Sequence, residues 1–325
     1  MPAPLLEVED LTTQFHTSDG VVSAVDGISY SVEAGETVGI VGESGSGKSV
    51  SVRSIVRLIE SPGRIENGVV RWKGQNVLEM SDAELRRVRG DEIAMIFQEP
   101  REALDPAYTV GYQIVEAIRA HEEISKSAAR ERAVELLAEV GIPNPGEAVD
   151  RYPHEYSGGM AQRALIAMAL ACEPDLLIAD EPTTGLDVTI QAQVIDLFER
   201  LQRDRDMALV MITHDLGVVS ELCERVIVMY AGRIAETGPL NRVIDDPKHP
   251  YTRTFLRSVP RMDNPGALDP IEGTPPNLAD PPSGCRFHPR CPDAKPLCQD
   301  ARPPDITFDD DRIAACYVHT EEYHR

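Results

Sequence analysis

The chain has 325 residues, of which 42% are hydrophobic, and 54 Asp and Glu outweigh 32 Lys and Arg to give a formal charge of −22. That length accommodates one large core with a smaller second unit, and the carboxylate excess excludes non-specific attachment to a nucleic-acid backbone, which needs cations to displace counterions. No apolar run approaches the roughly 18 to 20 residues that cross a bilayer, and MPAPLLEVED lacks a basic-then-apolar export signal, so the expectation is a soluble chain that stays where it is made.

The acidity suits either an ordinary acidic cytosolic protein or one adapted to a salt-rich cytoplasm. In chain order, LLEVEDLTTQF and VVSAVDGISYSVE alternate apolar and polar residues around the turn residues TSDG, which predicts an antiparallel opening. From ETVGIVG onward, short β-branched strands alternate with helices, as in ALVMIT, GVVSELCE and VIVMYAG. That rhythm predicts a parallel sheet wrapped by helices.

GESGSGKS lies after the first of these strands and before the helical SVRSIVRLIE, and it matches G-x-x-x-x-G-K-[ST]. Gly42, Gly45 and Gly47 can take positive φ, so the loop of Gly42, Glu43, Ser44, Gly45, Ser46 and Gly47 can turn its N–H groups onto a phosphate chain at a helix N-terminus. Lys48 would reach the β and γ phosphates, and Ser49 would give an oxygen to Mg²⁺.

Between Asp82 and Leu137, ELRRVR, QIVEAIRAHE and SAARERAVELLAEVG predict amphipathic helices with no strand among them, hence a helical insertion in the α/β core. In YSGGMAQR, Ser157, Gly158 and Gly159 open the helix MAQRALIAMALAC, a second anion-binding helix start. Two such cradles serve one ATP if two subunits face each other. DLLIADEP reads as a hydrophobic strand ending in two carboxylates, with Asp180 holding Mg²⁺ through its shell and Glu181 acting as general base. In MITHD, His214 ends another buried strand within reach of a γ-phosphate.

After Pro239, the stretches DDPKHP, VPRMDNPGALDP and GTPPNLADPPSG predict a linker to a small terminal module. Cys172 and Cys223 read as buried small residues of helices. Cys285, Cys291, Cys298 and Cys316 gather near the end, where a metal staple is favoured over disulfides. Zinc is the generic occupant, with His288 a competing ligand, although the spacings do not match its usual close pairs.

These motifs together resemble the ABC transporter ATPases. GESGSGKS resembles their Walker A motif, Gln98 in IFQEP their Q-loop, YSGGM their signature, LLIADE their Walker B, TGLD with Asp187 their D-loop, and His214 their switch histidine. The resemblance implies a P-loop α/β fold with a mixed sheet core, an antiparallel β subdomain and a helical subdomain at about residues 82–165, within an ATPase domain of residues 1–240. It places Phe15 on adenine and Gln98 among the catalytic and Mg²⁺-holding residues. Tyr156 and Met160 replace the usual Leu and Gln, and Ala161 stands where many relatives carry Arg.

HPYTRTFLRSVP and CRFHPRC resemble the C-terminal extension of the dipeptide and oligopeptide importer ATPases, here residues 241–325. That resemblance implies an ATP-hydrolysing motor at the cytoplasmic face of the membrane. Its partners would be two permeases, an extracytoplasmic peptide-binding protein and a second, related ATPase, without nucleic acid. It also implies a [4Fe–4S] cluster on the four terminal cysteines. Import of nickel or another small solute, and a non-transport ABC ATPase working on DNA or ribosomes, are the alternative readings.

Overall fold

The computed structural model describes residues 3–258 and 270–324. The part VPRMDNPGALD of the expected linker lies outside the described residues. The chain divides into two units, one drawn from residues 1–33, 37–78 and 213–325, the other from 34–36 and 79–212.

The first unit opens with β1 (Leu6–Thr17) and β2 (Gly20–Val32), an antiparallel pair as the alternation predicts. Asp10, at φ 47°, bulges β1 and shifts its register, which allows Val8 and Leu11, three residues apart, both to point inward. The buried β3 (Thr37–Val41) follows, then the helix Lys48–Ile55, β4 (Gly63–Trp72) and the short β5 (Gln75–Asn76). The antiparallel sheet runs in the order β2-β1-β4-β5.

The second unit holds three parallel strands, β6 (Ile93–Ile96), β7 (Leu176–Asp180) and β8 (Ala208–Ile212), with β7 central. β7 and β8 are buried along their whole length, which accounts for apolar runs in place of alternation. Around them lie the helices Val110–His121, Lys126–Glu139, Gly158–Ala169 and Val188–Arg205. Thr109 and Ser125 cap the first two by accepting from Tyr112 N and Ala128 N, each at 3.2 Å. Arg205 closes the last onto Glu139 through a bidentate pair, Nε donating to Oε1 at 3.2 Å and Nη2 to Oε2 at 2.8 Å.

β6 corrects the strand-free reading of residues 82–137. IAMI is too short to display a period, and its strand character comes from parallel pairing with β7, some eighty residues further on. Two smaller corrections concern cysteines: Cys172 lies beyond the helix that ends at Ala169, and Cys223 directly follows the helix Leu216–Leu222.

The chain returns to the first unit through β9 (Arg225–Tyr230), parallel to β3, and turns at Ala231 and Gly232, both at positive φ, into the antiparallel β10 (Arg233–Pro239). Near the end of the chain, β11 (Asp305–Thr307) pairs with β12 (Ile313–Ala315), and β12 pairs with β10. The terminal residues therefore extend the sheet that carries β3 and β9. They are fixed further by an aromatic cluster in which Tyr230, Tyr251 and Phe287 have ring centroids 4.5 to 5.3 Å apart.

Beside that cluster His249 is buried, and its Nδ1 accepts from Tyr251 N at 3.0 Å. Burial, with smaller contributions from His319 and Arg253, lowers its pKa to about 3. The unfolded chain therefore binds a proton below about pH 6.5 that the folded chain refuses, and stability is lost as the pH falls from there toward 3. His249→Asn, which can keep an acceptor for Tyr251 N, is expected to flatten that slope by on the order of 1 kcal/mol per pH unit, read from denaturant midpoints between pH 7 and 5. Parallel midpoint curves for the two proteins would exclude this role.

Candidate functional site

In the first unit, β3 delivers the chain into GESGSGKS, and the helix Lys48–Ile55 starts at Gly47. Gly47 lies at φ 98°, and a Cβ there would press into Ala24 O of β2; at Gly42, φ 151°, a Cβ would press into Met229 O of β9. Backbone angle and close packing thus both demand glycine. Lys48, only 5% exposed, donates from Nζ to Gly42 O at 2.9 Å and Glu43 O at 3.0 Å. Its cation is thereby held over the loop. Ser46 is buried, Ser49 half-buried, and Ser44 and Gly45 form the exposed rim.

The loop also has partners that local motifs do not announce. Glu43 N donates to Tyr251 Oη at 3.0 Å, and the Glu43 carboxylate is gripped by Arg290 at 2.7 and 3.0 Å. Phe15 is half-buried near the end of β1, paired in register with Gly63 of β4, and a Cβ on that glycine would strike its ring. His214 is exposed and follows the buried Thr213, whose Oγ1 accepts from Asp215 N at 2.9 Å.

In the second unit, β7 ends at Asp180, which is fully buried, and Glu181 follows at φ 50°, a left-handed backbone that is uncommon for Glu. Glu181 Oε2 accepts from Gln98 Nε2 at 3.2 Å and from Thr184 Oγ1 at 2.9 Å, while Glu181 N donates to Ile212 O of β8. The structure thus joins Gln98 to Glu181 and adds Thr184, which its place in an ordinary turn, TTGLD, does not reveal.

Ser157, exposed, caps the helix Gly158–Ala169 by accepting from Met160 N at 3.2 Å, and Gly158 and Gly159 form its first turn. The replaced signature residue Tyr156 is buried and donates to Ala148 O at 2.8 Å, while Ala161 is fully buried. Asp187, exposed, caps the helix Val188–Arg205 by accepting from Ile190 N at 3.0 Å. Each unit therefore presents a helix start suited to an anion, and the second adds a strand-end carboxylate held by an amide and a hydroxyl.

The structure overturns the iron–sulfur expectation. Among the described residues, no group of three or more His, Cys, Asp or Glu side chains is disposed to hold a metal ion. Cys285, Cys291, Cys298 and Cys316 are free thiols, and burial pushes Cys291 and Cys316 up to about 12. The terminal module is closed instead by hydrogen bonds such as Cys285 N to Cys298 O at 2.8 Å, by the buried Phe287, and by pairing on β10. The zinc alternative is set aside with the cluster.

Residues 25–184 match the family model described as ABC transporter, and residues 235–298 that described as oligopeptide/dipeptide transporter, C-terminal region. The dipeptide transport ATP-binding protein DppD of Escherichia coli (strain K12) is 49% identical, over 98% of each chain. The oligopeptide transport ATP-binding protein OppD of Bacillus subtilis (strain 168) is 50% identical over 94% of this chain and 86% of its own. A solved ATP-binding cassette, described as a dimer in a post-hydrolysis state bound to ADP and Pi, superposes with a TM-score of 0.66 at 27% identity, covering 72% of this chain and 98% of that one.

Proposed function

Because the chain belongs to the ABC transporter ATP-binding family, we propose that it is the ATP-hydrolysing motor of an importer for dipeptides or oligopeptides. The observation that carries the reading is the glycine-demanding phosphate loop with Lys48 folded over it, together with near-full-length likeness to peptide-transport ATPases. In this reading residues 1–240 form the ATPase domain and 241–325 an importer-type extension.

The loop of residues 42–47 holds the phosphates through its amides, Lys48 neutralises their charge, and Phe15 stacks on adenine. Glu181 takes a proton from the attacking water, which bonds to the γ-phosphorus as the bond to the β-bridging oxygen breaks, leaving ADP and phosphate. Gln98 and Thr184 aim the Glu181 carboxylate, and His214 contacts the γ-phosphate. Ser49, Gln98 and, through its shell, Asp180 would hold Mg²⁺ with oxygen donors, and the ion would offset charge on the β and γ phosphates.

Ser157, Gly158 and Gly159 receive the γ-phosphate of an ATP held by the facing subunit, a related but different chain, and the exposed Asp187 lies at that junction. Binding would close the pair and hydrolysis reopen it. An apolar groove of about 250 Å³ in the second unit, lined by Ala94, Phe97, Ala117, His121, Leu165 and Met168, is the seat we assign to a short helix of the permease. Phe97 at its edge adjoins Gln98, so seating a helix there would be felt at Glu181.

Thus the subunit would sit peripherally at the cytoplasmic face, with two permeases and an extracytoplasmic peptide-binding protein completing the importer. Purification in detergent with bound solute identified by mass spectrometry tests this. Permeases and peptides are expected, whereas nickel or another solute would move the substrate assignment, and nucleic acid or ribosomes without permeases would overturn transport.

A further inference from the structure

Arg290 belongs to the C-terminal region, yet all its donors converge near the phosphate loop. Nη1 donates to Glu43 Oε2 at 2.7 Å and Tyr230 Oη at 3.2 Å, and Nη2 to Glu43 Oε1 at 3.0 Å and Ile271 O at 3.4 Å. Nε donates to Glu272 O at 2.9 Å. The side chain is 5% exposed, and its Cζ lies over the Tyr230 ring, 5.8 Å from the centroid. A fully satisfied, buried fork of this kind has one orientation.

Its partner poses an electrostatic problem. Glu43 is a carboxylate inside a loop whose task is to gather a polyanion, where an uncompensated negative charge opposes binding. Tyr251 Oη also takes the Glu43 amide, so backbone and side chain at this position are both held by residues beyond the ATPase domain proper.

We propose that Arg290 is a positioning residue for nucleotide binding: by pairing with Glu43 it cancels that carboxylate's charge and fixes the start of the phosphate loop, which makes the C-terminal region part of the ATP site's electrostatics. The inference rests on the reading of GESGSGKS as the ATP phosphate loop.

The test is the equilibrium dissociation constant of the full-length chain for Mg-ATP, at low and at physiological salt, for wild type, Arg290→Gln and Glu43→Gln/Arg290→Gln. Arg290→Gln is expected to weaken binding about tenfold at low salt and less at higher salt, because the exposed repulsion is screened. The double variant, with both charges removed, is expected to recover to within about threefold of wild type. A purely structural clamp would lower the thermal midpoint of both variants without salt-dependent loss and without recovery, and that pattern overturns the proposal, as does wild-type affinity in Arg290→Gln. Where that variant does not fold, Arg290→Lys replaces it; it keeps the charge but loses the fork, so the expected loss is about threefold and unchanged affinity counts against the proposal. Absence of ATP binding by the wild-type chain would instead sink the phosphate-loop reading itself.

Discussion

Glu181→Gln should retain ATP and lose hydrolysis by on the order of 10²-fold or more, the scale on which a positioned proton acceptor contributes. The substitution is nearly isosteric, so the bonds from Gln98 and Thr184 can still hold the amide oxygen. The left-handed backbone at φ 50° is retained as well, and geometry is preserved while basicity disappears. Loss should therefore appear in turnover of the assembled transporter, with ATP affinity and thermal midpoint near wild type. Near-normal turnover would remove Glu181 from the role of base. Loss of ATP binding would show that its carboxylate supports the fold of the site and not the chemistry.

Gly47→Ala should act on the other side of the reaction. At φ 98° a side chain already costs about 1 to 2 kcal/mol, and the added methyl meets Ala24 O, so the loop has to leave β2. Moving it displaces several amides that the proposal aims at phosphate, each charge-assisted bond being worth roughly 1.5 to 3 kcal/mol. ATP binding is therefore expected to fall on the order of 10²-fold or more, measured by titration on protein shown by its thermal transition to be folded. Wild-type affinity in folded Gly47→Ala protein would mean that phosphate is not held by this loop.

The nucleotide motifs are legible in the sequence because each is local: glycines, a lysine and a flanking strand and helix suffice for the loop, and LLIADE announces both its burial and its two acids. What escaped depends on long-range partners. β6 is a strand only through β7, and Arg290 meets Glu43 across 247 residues without any spacing rule that links them. The terminal cysteines misled for a related reason. Their clustering in sequence says nothing about how side chains are disposed once hydrogen bonds, Phe287 and β10 have fixed the backbone.

The central claim, ATP hydrolysis at a site completed by a second subunit, is tested most directly by the structure of the closed Glu181→Gln assembly with Mg-ATP. Ser157 and Gly159 are expected within about 3 Å of the γ-phosphate of a nucleotide held by the facing subunit's phosphate loop, hydrogen-bond distance for an anion at a helix start. A closed, nucleotide-bound assembly in which that helix start stays several ångströms from every phosphate would contradict the account.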